Sequence, residues 1–235
     1  MPTAIASLPT LKMCKHPGCD KIATGYKGTC FNHSVRKGLG GYRTSPRANV
    51  KHAVGVEIEC FNPDTIYKVT HVSPCVSRDG SVSGGGEIKL CGTENKIEDK
   101  AADCVQRSAL VGNKVDKRCG LHLHFSMPQN VSRYDSNART RLVRLVNAMQ
   151  EFMFDIVPVS RRNNGFCGRA TENNVSICSH YSWFSLSDRH PTYEIRIHAG
   201  TMNPWKIKGW INAWVQVRPE IHKVINGDEG WENIV

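Results

Sequence analysis

The sequence predicts an α+β chain, and three observations carry that prediction. The segments VGVEIE (54–59), LHLHF (121–125) and YEIRIH (193–198) alternate apolar with polar residues, the period of half-buried strands. Residues 136–156 and the stretch after Pro204 instead space their apolar residues three and four apart, the period of amphipathic helices. A cysteine-rich N-terminal stretch stands apart from both. The expected division is a knuckle over 1–36, a basic linker over 37–51 and a main domain over 52–235.

Composition narrows the class. Of 235 residues, 40% are hydrophobic and 22% charged, the balance of a globular chain rather than a disordered one. Lys and Arg number 31 against 21 for Asp and Glu, a formal charge of +10 that favours anionic partners. No apolar run approaches the roughly 18 residues a membrane helix needs. The opening MPTAIASLPTLKMC lacks a basic region leading into an apolar core, so the expected location is cytoplasmic. Ten cysteines are too dispersed for a disulfide scaffold, and Cys60, Cys104, Cys119 and Cys178 read as small buried hydrophobes.

The knuckle holds Cys14, Cys19, Cys30 and His33 as C-x4-C, ten residues, then C-x2-H. Two close pairs joined by a short polar hairpin suit a tetrahedral structural zinc, and Pro17-Gly18 and Lys27-Gly28 supply tight turns. His16 competes as a ligand. Binding nucleic acid, binding a protein, or folding a piece too small for a core are all open to such a knuckle. The linker interleaves Gly38, Gly40, Gly41 and Pro46 with Arg36, Lys37, Arg43, Arg47 and Lys51. Its basic residues serve a solvated face or a phosphate-bearing partner such as nucleic acid.

In the main domain, the strand at 54–59 puts Val54, Val56 and Ile58 on one face, Gly55, Glu57 and Glu59 on the other. Its two carboxylates then lean over one patch, about 6.6–7 Å apart along the strand. Alone, such a pair is an ordinary amphipathic strand. Ile66–Val72 alternates enough for a second strand, Asp79-Gly80 signals a hairpin, and Glu87 opens a strand at EIKL. Glu98–Leu110 reads as a helix with Ala101, Ala102, Val105, Ala109 and Leu110 inward. His122 and His124 share a strand face; beside three carboxylates they become candidate ligands.

Ser136 is the expected cap of a helix running to Ile156, with Leu142, Leu145, Val146, Met149, Phe152, Met153 and Ile156 as its stripe and Pro158 ending it. SRRNNGFCGR, containing Arg161 and Arg162, serves equally as a surface loop or a cover over an anionic substrate. Glu194, Arg196 and His198 are expected on one face of the last strand, before Asn203 caps a helix begun by Pro204.

VGVEIE, DGS with the later GEIK, CGLHLHF and YEIRIHAGT, in that order over most of 50–218, make the main domain resemble the amidoligase family, distant relatives of glutamine synthetase and glutamate–cysteine ligase. The resemblance implies a glutamine synthetase-like open antiparallel sheet packed on helices, forming a trough for ATP and two or three divalent cations, Mg2+ or Mn2+. It places Glu57, His122 and Glu194 on the phosphate-side metal and Glu59 and Glu87 on the metal nearer the acceptor. It makes Arg196 the residue that steadies the transferred phosphoryl group and His124 an ATP contact, with Arg161 and Arg162 in the covering loop. The acceptor-side carboxylate still wanting has Asp79 or water as its candidates.

The implied activity is ATP-dependent joining of a carboxylate to an amine, on amino acids, peptides or proteins, through an acyl phosphate. Two alternatives stand beside it. A metal-dependent hydrolase would use His122, His124 and Glu57 around a metal-bound water, and a zinc-knuckle protein would bind nucleic acid through Arg36, Lys37, Arg43 and Arg47.

Overall fold

The computed structural model describes residues 53–62, 75–78, 82, 84–128, 131–132, 134–162, 164–170, 181–187 and 191–233. The zinc knuckle, the basic linker, the expected strand at 66–72, Asp79 and Cys178 lie outside these residues.

Six strands form one antiparallel sheet: β1 Ala53–Phe61, β2 Cys75–Arg78, β3 Gly85–Thr93, β4 Gly120–Ser126, β5 Phe184–Leu186 and β6 Thr192–Ala199. Their order across the sheet is β2-β3-β1-β4-β6-β5. The helices are α1 Glu94–Leu110, α2 Ser136–Ile156, the single turn α3 Val159–Arg162 and α4 Pro204–Asn226, with a short 3₁₀ turn at Trp231–Asn233. None is long and apolar enough to cross a membrane.

The strands obey their alternation. Val54, Val56 and Ile58 of β1, Leu121, Leu123 and Phe125 of β4, and Tyr193 and Ile195 of β6 are fully buried on one face. There they join Ile97, Ala101 and Val105 of α1 and Ile207, Ile211 and Trp214 of α4 in a single core. At about 1.5–3 kcal/mol per buried aliphatic side chain, this face holds the sheet to its helices. The opposite face keeps the polar residues.

Several helical details differ from the sequence expectation. α1 begins four residues early, at Glu94 directly after β3. Its inward residues include Ile97, Cys104 and Ser108, whereas Leu110 is exposed because the chain turns away at Val111 and Gly112. Asp135, not Ser136, caps α2: its carboxylate accepts the Ala138 N–H at 2.8 Å. Phe152 and Ile156 are exposed, because the buried side of α2 rotates toward its C-terminus. Gln150 there accepts from the Ala170 N–H and the Trp183 indole, and Arg169 covers the Phe154 ring. Arg141 donates to the Val224 and Ile225 carbonyls at the end of α4. Gly227 closes that helix in the left-handed region.

Candidate metal centre

Sheet pairing, rather than sequence proximity, assembles the polar face. Glu57 of β1 lies opposite His122 of β4 on one side and Lys89 of β3 on the other. One step along, Glu59 is opposite Glu87, and Ser77 of β2 stands opposite Glu87 in turn. In the other direction, Gly55 is opposite His124, which is itself opposite Glu194 of β6. Four strands, β1, β3, β4 and β6, thus place four carboxylates, two imidazoles, a lysine and an arginine on one patch. Gly55 is the small member of this set: a Cβ there would stand 3.2 Å from that of His124.

His122 is the hub. Its Nδ1 lies 3.3 Å from Glu194 and 3.6 Å from Glu57, and its Nε2 lies 3.6 Å from Glu59. His124 Nε2 is 3.4 Å from Glu57 and 3.7 Å from Glu194. His122 Nδ1 and His124 Nε2 are buried and make no hydrogen bond. A buried polar atom without a well-aligned hydrogen bond is costly, and a proton or a cation shared with the neighbouring carboxylates would satisfy these rings.

A cation fits that requirement. Glu57, His124 and Glu194 each offer a ligand atom, all within 4.8 Å of one another. Metal–ligand bonds of roughly 2.0–2.2 Å separate adjacent ligand atoms by about 3–3.5 Å, and His124 Nε2 stands 3.4 and 3.7 Å from the Glu57 and Glu194 carboxylates, so a small contraction would close the set around an ion. The imidazole-plus-carboxylate donor set suits a divalent ion such as Mg2+, Mn2+ or Zn2+.

The charges of these groups follow from the same proximity. Burial pushes the Glu57 carboxyl up, but the neighbouring His124, His122 and Lys89 outweigh it and hold it well below the usual range. Glu194 behaves alike: burial opposes ionisation, while His124, His122 and Arg196 favour it more strongly. Burial depresses His124, yet Glu194 and Glu57 raise it to about 9. Burial and the nearby Glu57 charge push Glu87 up, with Lys89 and Ser77 offsetting part of the rise.

The structure thus gathers Glu57, Glu59, Glu87, His122, His124, Glu194 and Arg196. His124, which the resemblance gives to ATP, also stands among the candidate metal ligands. The structure alters the reading of His198, Arg161 and Arg162. His198 leaves the patch: between Ile195 and His198, β6 carries one residue more than β4, and this bulge breaks the alternation. Its ring packs against Trp210 of α4, with centroids 4.7 Å apart. Arg161 is no loop residue reaching for phosphate. It is 1% exposed, and its guanidinium is spent on the Arg196 and Ile197 carbonyls. Arg162 likewise turns back, donating to Val157 and Asp155 carbonyls at the end of α2.

No protein-family model matches this chain, and no curated protein matches it either. The site's own geometry carries the functional argument.

Lys89 is the residue that sequence reading missed. Its ammonium stands 3.1 Å from Glu57 and 2.7 Å from Glu87, inside the carboxylate set. The signal was present, since Lys89 lies two residues beyond Glu87 on the same strand face. Glu59, 4% exposed, accepts the Gly120 N–H at 2.5 Å, while Glu87 accepts from Ser77 at 2.7 Å.

Proposed function

We propose that the chain is an ATP-dependent carboxylate–amine ligase, forming an amide or isopeptide bond through an acyl phosphate. The observation that carries this reading is the place of Arg196. Its Nη1 lies 2.6 Å from Glu194 Oε1, an oxygen of the candidate cation ligands, on the polar face of an antiparallel sheet. A guanidinium beside a cation site suits an anionic group that must be held and then changed in charge.

Carboxylates cannot take phosphate oxygens directly, because like charges repel. Glu57, His124 and Glu194 would hold a divalent cation, which would supply the positive charge that a phosphate needs here. Arg196 would exchange its Glu194 contact for equatorial oxygens of the transferred phosphoryl group, using its planar fork. His122, fixed between Glu57, Glu59 and Glu194, orients the carboxylates. Burial of Glu59, Glu194 and His122 lowers the local dielectric and strengthens each of these contacts. Amino acids, peptides or protein side chains are the acceptors we infer, and residues 14–33 are assigned one structural zinc.

The test is incubation with ATP and Mg2+ against pools of amino acids and peptides, scoring phosphate release and products lighter by one water than their components. Absence of ATP consumption across all pools would sink the ligase reading. A metal-dependent hydrolase is the second reading, favoured by the nitrogen donors of His122 and His124, which suit zinc and a metal-bound water. Hydrolysis of amide or ester pools without ATP would select it. For the knuckle, elemental analysis should find one zinc per chain that Cys19→Ala removes.

A further inference from the structure

We propose that the centre is built for one divalent cation, with the Lys89 ammonium standing in the place where a second would otherwise sit. This rests on the cation site of the ligase reading and deepens it. It departs from the two or three ions that the family resemblance implies.

The argument begins with which ligands are uncommitted. A second ion on the acceptor side would need Glu59 and Glu87. Glu87 Oε1 already accepts from both Lys89 Nζ and Ser77 Oγ, each at 2.7 Å. Glu59 takes the Gly120 N–H, and its other oxygen faces His122 Nε2. Among the described residues, the one group whose ligand atoms converge for a metal is Glu57, His124 and Glu194. His122 adds a second and independent sign. Its ring is 3% exposed, and its unbonded Nδ1 is aimed between Glu57 and Glu194, beside that group.

Position points the same way: the Lys89 ammonium stands between the Glu57 and Glu87 carboxylates, where a second cation would otherwise have to balance them. Removing the lysine charge would leave an excess carboxylate charge at a place already lined by Glu57 and Glu87, which a second ion could then fill.

An ammonium also differs from an ion in what it offers a substrate. It has three donors, of which Glu57 and Glu87 take two. The third suits an anionic oxygen of the bound substrate. Being covalently held, Lys89 keeps its place without dependence on free metal concentration.

The test is Mn2+ stoichiometry on the full-length, zinc-loaded chain, read by electron paramagnetic resonance of unbound Mn2+, without nucleotide and without any activity assay. Wild type should bind one Mn2+ per chain, and Lys89→Met should bind two. Lys89→Arg, which keeps the charge, should stay at one. Lys89→Gln replaces the Met variant if the latter does not fold, as judged by circular dichroism. Two ions on wild type would overturn the proposal, as would a count of one on folded Lys89→Met or Lys89→Gln, and both results leave the cation site itself standing. No ion on wild type would remove the cation site and this proposal together, and that failure is visible before any substitution is made.

Discussion

Arg161 donates through Nη2 to the main-chain carbonyl of Arg196 at 2.7 Å, and through Nε to that of Ile197 at 3.2 Å. These two residues form the bulge of β6, where the ladder to β4 slips by one residue. A bulge leaves backbone groups without their usual strand partners. A buried guanidinium supplies the missing donors, and the Arg196 N–H is taken up by the Trp183 carbonyl at 2.8 Å. The bulge is thus held from both sides, and it sets where the Arg196 side chain emerges.

Replacing Arg161 by Met should therefore destabilise the fold by roughly 3 kcal/mol, since two buried carbonyls lose their donors at about 1–3 kcal/mol each. Urea denaturation of wild type and Arg161→Met gives the difference directly. A midpoint shift within error would show that the bulge holds itself.

Under the ligase reading, Arg196→Lys keeps the charge but loses the planar fork. Turnover should fall roughly 10²–10³-fold, about 3–4 kcal/mol in the barrier, with a much smaller change in ATP affinity. Single-turnover conversion of γ-labelled ATP with saturating carboxylate acceptor measures it. Equal phosphoryl-transfer rates would take Arg196 out of the chemistry.

Glu57 touches His122, His124 and Lys89 at once. Glu57→Gln should weaken Mn2+ binding by roughly 100-fold or more, since even outer-sphere partners of metal ligands are worth 10–100-fold. Calorimetric titration alongside a thermal melt separates the two effects. Unchanged affinity in the folded variant would reduce the Glu57–Glu59 strand to an amphipathic one.

His198 supplies a pH dependence. Burial against Trp210, with the nearby Arg161 charge, holds its pKa below the ordinary histidine value of about 6.5, although the contact with its neighbour's carbonyl at Ala199 opposes this. The unfolded chain then binds more protons than the folded one just below pH 6.5. Stability contributed by the neutral ring is complete above that pH and is lost as pH falls through the lower folded value. The slope attributable to this group is at most about 1.4 kcal/mol per pH unit. Comparing unfolding free energies of wild type and His198→Gln between pH 5 and 7 tests it, and parallel slopes would contradict it.

Much of this was legible because strands and helices leave a period in the chain. Val54, Val56 and Ile58 against Glu57 and Glu59, or Leu121 and Leu123 against His122 and His124, could be sorted into faces before any pairing was known. Strand order could not. That Glu57 has His122 on one side and Lys89 on the other depends on β1 lying between β3 and β4, a tertiary choice with no local mark. β2 is four residues long among glycines and serines, too short for a period to show. The bulge escaped for a related reason: inserting one residue into YEIRIH leaves its alternation intact on paper while turning His198 toward the helices. Arg161, read from its polar surroundings as part of a surface loop or a cover over an anionic substrate, is buried because main-chain carbonyls, not water, receive its donors.

The order β2-β3-β1-β4-β6-β5 also bears on how the centre comes into being. Glu57 and Glu194 belong to strands that are far apart in the chain and meet only through β4. Contacts of such separation form late, after the loop between them has been closed at an entropic cost. If the proposed cation binds, a fragment lacking β6 would offer it no complete site, so it would gain little hold on the early, partly formed chain. Its influence would fall on the finished molecule: it would slow unfolding far more than it speeds folding, a latch on the completed sheet rather than a seed for it.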